Sequence, residues 1–140
     1  MQAKSKIHTQ KALWQAMADV QKYPNWVKYC KSVSVTEVKE GATFHDVTTL
    51  LWIPMKIEHV ITKIKPHEEI HFFLPLPGGA KMWHRFSFKQ EGEYGVMIAD
   101  ITFDLGNRFY NATVGYILEK RWESLLRQGL PGLEDVKRIK

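Results

Sequence analysis

The sequence is poor in cysteine and lacks long apolar runs. Cys30 is the only cysteine among 140 residues, so no disulfide can form within the chain, which is typical of a reducing compartment. No stretch approaches the roughly 20 apolar residues of a membrane-spanning helix. The first 20 residues contain no apolar run of signal-peptide length. We therefore expect a cytoplasmic protein without a transmembrane segment.

Concentrated charge is also missing. The formal net charge is +5, and the basic residues are spread along the chain apart from a small cluster at Lys137, Arg138 and Lys140. A nucleic-acid-binding protein usually gathers Lys and Arg on one face or stripe. The distribution therefore argues against nucleic acid as a partner and favours a solvated surface. Nothing in the sequence indicates an oligomeric state.

No established catalytic signature is found either. The chain has no Ser-His-Asp, Cys-His or paired-carboxylate arrangement, and Gly78-Gly79 does not open a helix as a phosphate-binding loop would. We therefore expect no cofactor. What the chain does have is 44% hydrophobic, 25% charged and 12% aromatic residues, a composition typical of a globular protein. Its length fits a single domain, 1–140.

The N-terminal part predicts one edge strand followed by two short helices. Residues 4–9 alternate weakly, as an edge strand would, and Thr9 is suited to cap the helix that follows. Tyr23-Pro24 ends this helix, and residues 24–30 predict a second one. The first helix places its apolar residues on one face: Leu13, Trp14, Met17 and Val20.

Residues 32–105 alternate between apolar and polar side chains, which predicts strands with one buried and one solvated face. Turns such as Glu40-Gly41 and Glu91-Gly92 favour an antiparallel meander. A long helix is then predicted from Arg108 to Gln128. Its apolar stripe comprises Tyr110, Val114, Ile117, Leu118, Trp122, Leu125 and Leu126.

The element order creates a mismatch between one helix and a wide sheet. A helix is about 10 Å wide and strands lie about 4.8 Å apart, so one helix covers two or three strands of a flat sheet. The sheet must therefore curl around the helix, and an apolar cavity is expected between them.

Three stretches resemble the START/Bet v 1-like (SRPBCC) superfamily of polyketide cyclase/dehydrase and lipid-transport proteins. They are residues 12–35, the strands containing WHRFSF and VMIADITFDLG, and the long C-terminal helix with its closing Gly132–Glu134. The resemblance implies an α+β helix-grip fold. In that fold a curved six- to seven-stranded antiparallel sheet surrounds a long C-terminal helix, and two short helices follow the first strand.

Relatives of this kind bind lipids, sterols, quinones, polyketides or plant hormones, and the resemblance implies three hypotheses for this chain. The first is binding or transport of a small hydrophobic, lipid-like or aromatic ligand in a cavity between the sheet and the C-terminal helix. The second is a polyketide cyclase or aromatase that uses inward histidines. The third is an adaptor that binds a ribosome or another protein.

Alternation places His59 and His84 on the predicted inner face, and His45 with Val47 and Leu51 is expected there too. An inward histidine can bind a ligand, act as acid or base, or simply be a satisfied core residue. Three inward histidines could hold a metal, but their spacing lacks a zinc signature, so no metal site is expected. The residues predicted to line the cavity are Trp26, Tyr29, Val47, Leu51, Ile57, His59, Ile61, Phe72, Met82, His84, Phe86, Met97, Ile101, Phe103, Tyr110, Val114, Ile117 and Arg121.

Some of these residues have two interpretations. Trp26 and Tyr29 form either a lid or a staple for the second helix. Arg121 either extends into solvent or anchors a ligand carboxylate. The loop 76–79 is either a gate or a tight turn.

Overall fold

A computed structural model of the chain describes residues 2–5, 8–27, 30–50 and 53–129. The strands are β1 (Gln2–Lys4), β2 (Cys30–Ser34), β3 (Thr43–Leu50), β4 (Ile53–Lys65), β5 (Glu69–Pro75), β6 (Lys81–Glu91) and β7 (Tyr94–Asp104). The helices are α1 (Gln10–Ala18), α2 (Tyr23–Trp26), α3 (Arg108–Tyr110) and α4 (Tyr116–Gly129), with short 3-10 turns at Val20–Lys22 and Pro77–Gly79. Tyr29, Leu51 and Gly132–Glu134 lie outside the described residues.

The strands form one antiparallel sheet in the order β1-β7-β6-β5-β4-β3-β2. The meander from β2 to β7 follows from short connections between consecutive strands. The first strand then pairs with the far side of β7, with Ala3 opposite Met97. This curved sheet, the long C-terminal helix and the short early helices confirm the predicted helix-grip fold.

The predicted inner faces of β4 to β7 are confirmed by burial. Along most of these strands every second residue is buried and its neighbours are more exposed, as one-sided packing requires. The exceptions are Val96, which is also buried, and the part of β4 beyond the irregularity after Ile61. The buried residues on this face are Ile57, His59, Ile61, Ile70, Phe72, Leu74, Met82, His84, Phe86, Phe88, Met97, Ala99 and Ile101.

The predicted face of β3 is wrong. Asp46 is buried on the inner face, so the neighbouring His45 and Val47 turn outward. The cause is the pairing of β3 with β4, in which Leu50 lies opposite Ile53 and Asp46 opposite Ile57. Because paired residues share a face, the inward Ile57 requires an inward Asp46. The three-histidine metal hypothesis fails with it, since His45 is separated from His59 and His84 by the sheet.

The two short N-terminal helices close one end of the sheet. The side chain of Thr9 accepts a hydrogen bond from Ala12 N at 3.3 Å, which confirms the predicted cap. The second helix spans Tyr23–Trp26 rather than residues 24–30, because the backbone of Val27 is already extended. Tyr23 fixes the junction, since its hydroxyl donates to Met17 O at 2.6 Å.

α3, the π-helical turn Asn111–Gly115 and α4 follow one another without a break, and together they are the C-terminal helix. Polar side chains attach it to the end of β7. Asn111 Oδ1 accepts from Leu105 N at 2.7 Å, and Glu119 Oε1 accepts from Phe103 N at 3.3 Å. Both amides lie near the end of β7, beyond the stretch that pairs with β1.

This attachment decides which side of the C-terminal helix is buried. The residues buried against the sheet are Gly115, Trp122 and Glu123. Within the described part of the chain, no helix is long and apolar enough to cross a membrane. The inward prediction for three residues of the apolar stripe is wrong, because the face with Asn111, Gly115 and Glu119 is the one fixed to β7. The outward residues are Tyr110, Val114 and Ile117, which are 53%, 45% and 65% exposed.

The contact between β7 and the start of α1 depends on Gly95. A Cβ at this position would lie 2.6 Å from Gln10 N and 2.7 Å from Thr9 C, which are rigid backbone atoms. We therefore expect Gly95→Ala to lower the free energy of unfolding by about 2–3 kcal/mol, measured by urea denaturation. Gly115→Ala is the control, because its nearest neighbours would be at 3.5 and 3.7 Å. This control should leave the stability unchanged or raise it by up to about 1 kcal/mol. Equal losses in the two variants would contradict the argument.

Candidate functional site

A small cavity lies between the inner face of the sheet, α2 and the C-terminal helix. Its volume is about 40 Å³, which is room for only a few water molecules. Its walls are mostly aromatic or aliphatic, and the polar side chains of Asp46, His59 and His84 line it from the sheet. The lining residues are Met17, Tyr23, Trp26, Val27, Asp46, His59, Phe72, His84, Phe86 and Trp122.

A larger apolar cleft of about 310 Å³ lies on the other side of Trp122. It is bounded by the C-terminal helix, the ends of β4 and β7, and the loop before β6. The lining residues are Met55, Ile57, Leu76, Pro77, Ala80, Met82, Phe103, Leu105, Leu118 and Trp122. Since Trp122 lines both spaces, its indole forms part of the wall between the cavity and the cleft.

Asp46, His59, His84 and Trp122 form a chain of polar side chains, which we term the polar cluster. Asp46 Oδ2 lies 3.8 Å from His59 Nε2. The ring centroids of His59 and His84 are 6.4 Å apart, and those of His84 and Trp122 are 5.2 Å apart. All four side chains are buried. They are held from several elements: β3, β4, β6 and the C-terminal helix.

Each member of the polar cluster carries an atom without a hydrogen-bond partner within 3.5 Å among the described residues, although Thr48 and the backbone of Ile57 lie close enough to Asp46 and His59 to influence their pKa values. These atoms are Asp46 Oδ1, His59 Nδ1, His84 Nε2 and Trp122 Nε1. A buried polar atom that makes no hydrogen bond costs about 1–3 kcal/mol, so groups of them are rare in protein interiors. The cluster therefore presents several donors and acceptors that a polar group within the cavity can satisfy.

Burial also sets the charge of the polar cluster. It lowers the pKa of His59 to about 4 and that of His84 to about 3, so both rings are neutral near pH 7. Burial raises the pKa of Asp46 to about 7, which places its titration in the range used by general acids and bases. The contact between Asp46 and His59 is therefore not a permanent ion pair.

Cys30 and Tyr23 do not supply a reactive anion beside this site. Burial raises the pKa of the Cys30 thiol to about 11, and burial also raises the pKa of the Tyr23 hydroxyl. Both side chains therefore remain protonated at neutral pH. Cys30 is a buried free cysteine and packs as a small apolar residue.

The structure divides those predicted lining residues that it describes into four groups. Those on the cavity are Trp26, His59, Phe72, His84 and Phe86. Those on the cleft are Ile57, Met82 and Phe103. Those buried in the core without lining either space are Ile61, Met97 and Ile101. Those turned away from both spaces are Val47, Tyr110, Val114, Ile117 and Arg121.

For Arg121 and the loop 76–79, the structure favours one of the two interpretations that the sequence left open. Arg121 is exposed, in agreement with its solvent interpretation rather than with an anchor for a ligand carboxylate. The loop before β6 is a tight turn, closed by a hydrogen bond from Leu76 N to Ala80 O at 2.9 Å. It still borders the cleft through Leu76 and Pro77.

Sequence reasoning missed Asp46, and Trp122 was predicted only as part of the helix stripe. The signal for Asp46 is the short interval between β3 and β4. With Leu50 opposite Ile53, the inward Ile57 fixes the parity of β3 and turns Asp46 inward. Trp122 could be found only once the attached face of the C-terminal helix was known.

The curved sheet around a long C-terminal helix defines a helix-grip protein. Comparison with known proteins places the chain within that class. The chain belongs to the family described as polyketide cyclase / dehydrase and lipid transport, whose model matches residues 8–128. A search of curated protein sequences finds no significant match.

Solved structures share the fold at low sequence identity. A START superfamily protein from Mycobacterium smegmatis is 12% identical with a TM-score of 0.76, over 91% of this chain and 90% of that one. The ZhuI aromatase/cyclase from Streptomyces sp. R1128 is 13% identical with a TM-score of 0.67, over 95% and 88%. The major latex-like protein 151 from Panax ginseng is 13% identical with a TM-score of 0.72, over 91% of each chain. At these identities the likeness shows the fold alone.

The buried histidines make stability dependent on pH. Each has a folded-state pKa below the ordinary value of 6.5, so its contribution is present above about pH 6.5 and is lost as the pH falls through about 4 to 3. Asp46 acts oppositely, because its raised pKa favours folding below about pH 4 and this contribution is lost as the pH rises through about 7. Between about pH 4 and 6.5, unfolding therefore takes up two protons on histidines and releases one from Asp46.

We expect His84→Gln to remove one of these protons. The decline in the free energy of unfolding between about pH 6.5 and 4 should become shallower by about 1.4 kcal/mol per pH unit, measured by urea denaturation across this range. Met82→Ala truncates a buried side chain on the same strand face and should lower stability by a similar amount at every pH. A His84→Gln profile parallel to the wild-type profile would show that His84 is not buried in its neutral form.

Proposed function

We propose that the protein binds a small hydrophobic molecule that carries an uncharged oxygen, such as a hydroxyl or a ketone, and that this oxygen sits at the polar cluster. The observation that supports this proposal is the set of unpartnered donors and acceptors at Asp46, His59, His84 and Trp122 inside an otherwise apolar cavity. A hydroxyl both donates and accepts, so it suits such a mixed set.

The apolar body of the molecule is accommodated by the cleft. At about 310 Å³ its volume is at the lower end of the range of small-molecule sites, which fits a compact body of two or three rings. Rotation of Trp122 would join the cleft to the cavity and bring the oxygen within reach of His84. Burial of apolar surface at about 25 cal/mol per Å² provides the affinity.

The charges of the site favour a neutral ligand over an anionic one. No Lys or Arg is among the residues that line the cavity or the cleft in the described part of the chain. Both histidines are neutral near pH 7, and Asp46 is partly ionised. A buried ligand carboxylate would lack a counter-charge, and an unpaired buried charge costs several kcal/mol.

We expect 2-naphthol to bind at least about tenfold more tightly than 2-naphthoate near neutral pH, a difference of about 1.4 kcal/mol. The two probes share one ring system, so titration calorimetry compares a neutral polar end with an anionic one. His84→Phe should weaken binding of 2-naphthol, whereas Trp83→Phe, on the outer face of the same strand, should not. Equal or tighter binding of 2-naphthoate would refute the neutral-ligand proposal.

The interior space also bears on the adaptor hypothesis. A protein that works only through its outer surface needs neither a cavity nor a cleft, and it gains stability from a filled core. The cavity beside the polar cluster therefore favours ligand binding over the adaptor. Native mass spectrometry of protein purified from cells tests this directly, because a bound ligand adds a defined mass.

Acid–base catalysis on the bound molecule is the second candidate, and Asp46 is the observation that favours it. Its carboxyl group lines the cavity, contacts His59 at 3.8 Å and has a pKa raised to about 7 by burial. An ionised Asp46 could remove a proton from the carbon beside a ketone. The resulting enolate oxygen would be stabilised by the N–H of Trp122, and the proton would return from Asp46 to the carbon or the oxygen.

We expect the wild-type protein to accelerate exchange of the α-hydrogens of 2-tetralone for deuterium in D2O, followed by NMR. Asp46→Asn should abolish the acceleration, because an amide cannot accept the proton, while binding of 2-naphthol persists. Asp100→Asn is the matched control, since Asp100 is exposed on the outer face and should leave exchange unchanged. A wild-type protein that binds 2-tetralone without accelerating exchange would leave ligand binding as the function and exclude this chemistry.

A further inference from the structure

The exposed side of the C-terminal helix is unusually apolar. Between residues 108 and 124 its large exposed hydrophobic side chains fall on neighbouring turns, with exposures from 45% to 69%. Single exposed apolar residues are ordinary, whereas a contiguous group usually marks an interaction site. The group, which we term the outer stripe, consists of Phe109, Tyr110, Val114, Tyr116 and Ile117.

Charge is distributed unevenly around the same helix. Its two acidic residues in the described part, Glu119 and Glu123, are half-buried and buried respectively. Glu119 binds the backbone of Phe103, and Glu123 pairs with Lys120 at 3.3 Å. The basic residues Arg108, Lys120 and Arg121 are instead exposed. The exposed side of residues 108–124 therefore contains apolar and basic side chains and no carboxylate.

This arrangement reverses the usual amphipathic pattern of a surface helix, in which the apolar side faces the core. It matches the pattern of a helix that lies in a membrane interface, with aromatic and aliphatic residues in the acyl boundary and basic residues among the headgroups. Tyr and Phe suit this depth because their rings are apolar and, in Tyr, carry a polar end. Lys120 Nζ lies 5.4 Å from the ring centroid of Tyr116, so a cation lies over an aromatic ring of the outer stripe.

The position of the outer stripe relative to the cleft adds a geometric argument. Leu118 lines the cleft and directly follows Ile117, which is 65% exposed. Leu76 and Pro77, from the turn before β6, border the same cleft, and Pro77 is itself exposed. A bilayer against the outer stripe would thus lie close to residues that line the cleft.

We propose that the outer stripe docks on the surface of a membrane that contains anionic lipid, with Phe109, Tyr116 and Ile117 inserted at the interface and Arg108 and Arg121 on the headgroups. A bilayer fits both observations, since anionic headgroups complement the arginines and the acyl boundary accepts the apolar side chains. A purely electrostatic partner such as nucleic acid would leave Val114 and Ile117 in water.

Co-sedimentation with vesicles tests the proposal. The probes are vesicles of phosphatidylcholine alone and of phosphatidylcholine mixed with phosphatidylserine. The wild-type protein should sediment with the mixed vesicles and much less with the neutral ones, and added salt should weaken binding. Arg108→Ser combined with Arg121→Ser should reduce partitioning by about twenty-five-fold, from about fivefold per arginine. Phe109→Ser combined with Ile117→Ser should reduce it by more than about tenfold.

Matched controls separate the outer stripe from bulk properties of the protein. Lys31→Ser combined with Lys89→Ser removes the same charge from exposed positions on other elements and should retain wild-type binding. Ile98 on β7 is 36% exposed. Ile98→Ser removes this exposed isoleucine and should also retain wild-type binding. Urea denaturation of each variant confirms that it is folded.

Three outcomes would overturn the proposal. Wild-type protein that stays in the supernatant with mixed vesicles excludes membrane docking. Control variants that lose binding as strongly as the stripe variants show that the stripe is not the site. A concentration-dependent dimer in sedimentation velocity, abolished by Ile117→Ser, shows that a second copy covers the stripe instead. Binding of 2-naphthol is independent of all three, so the ligand proposal stands or falls separately.

Discussion

The attachment of the C-terminal helix to the end of β7 is the constraint on which the remaining features depend. Asn111 and Glu119 satisfy backbone amides near the end of that strand, and buried amides strongly require partners. Gly115 faces Phe103 with no side chain between them. These contacts fix the rotation of the helix, so Trp122 points to the interior and Ile117 points to solvent. Hydrophobicity alone would favour a different rotation, with more of the apolar stripe buried.

The same attachment explains why the interior is incompletely filled. The helix packs chiefly on β7, which leaves the inner face near the start of β4 uncovered. Met55 and Ile57 therefore line a cleft rather than a packed core. A sheet of seven strands is too wide for one helix to cover, and α1 and α2 close only the opposite end. The mismatch expected from element widths thus appears as a cleft with a specific location.

The sequence predicted most of the fold and only part of the site, for physical reasons. In β4 to β7 one face carries most of the large apolar residues, despite Phe73 and Trp83 on the other, so alternation identifies the inner side without reference to neighbouring strands. In β3 both faces are mixed, with Phe44 and Asp46 on one side and His45 and Val47 on the other. Only pairing with β4 decides between them. The C-terminal helix posed a similar problem, because its rotation depends on polar contacts that hydrophobic periodicity does not register.

The polar cluster lowers the stability of the fold, and this cost indicates that the interior has a function. Replacing any of the four unpartnered atoms by an apolar group of similar shape would raise the stability of the fold. These atoms are Asp46 Oδ1, His59 Nδ1, His84 Nε2 and Trp122 Nε1. Phe44 stacks on His59 with ring centroids 4.5 Å apart, so the surrounding packing already provides for an apolar side chain there. A core shaped by stability alone would have no reason to collect four such atoms around one cavity. Local departures from the rules of stable packing are expected at functional sites, and this cluster is such a departure, with Trp122 also lining the apolar cleft.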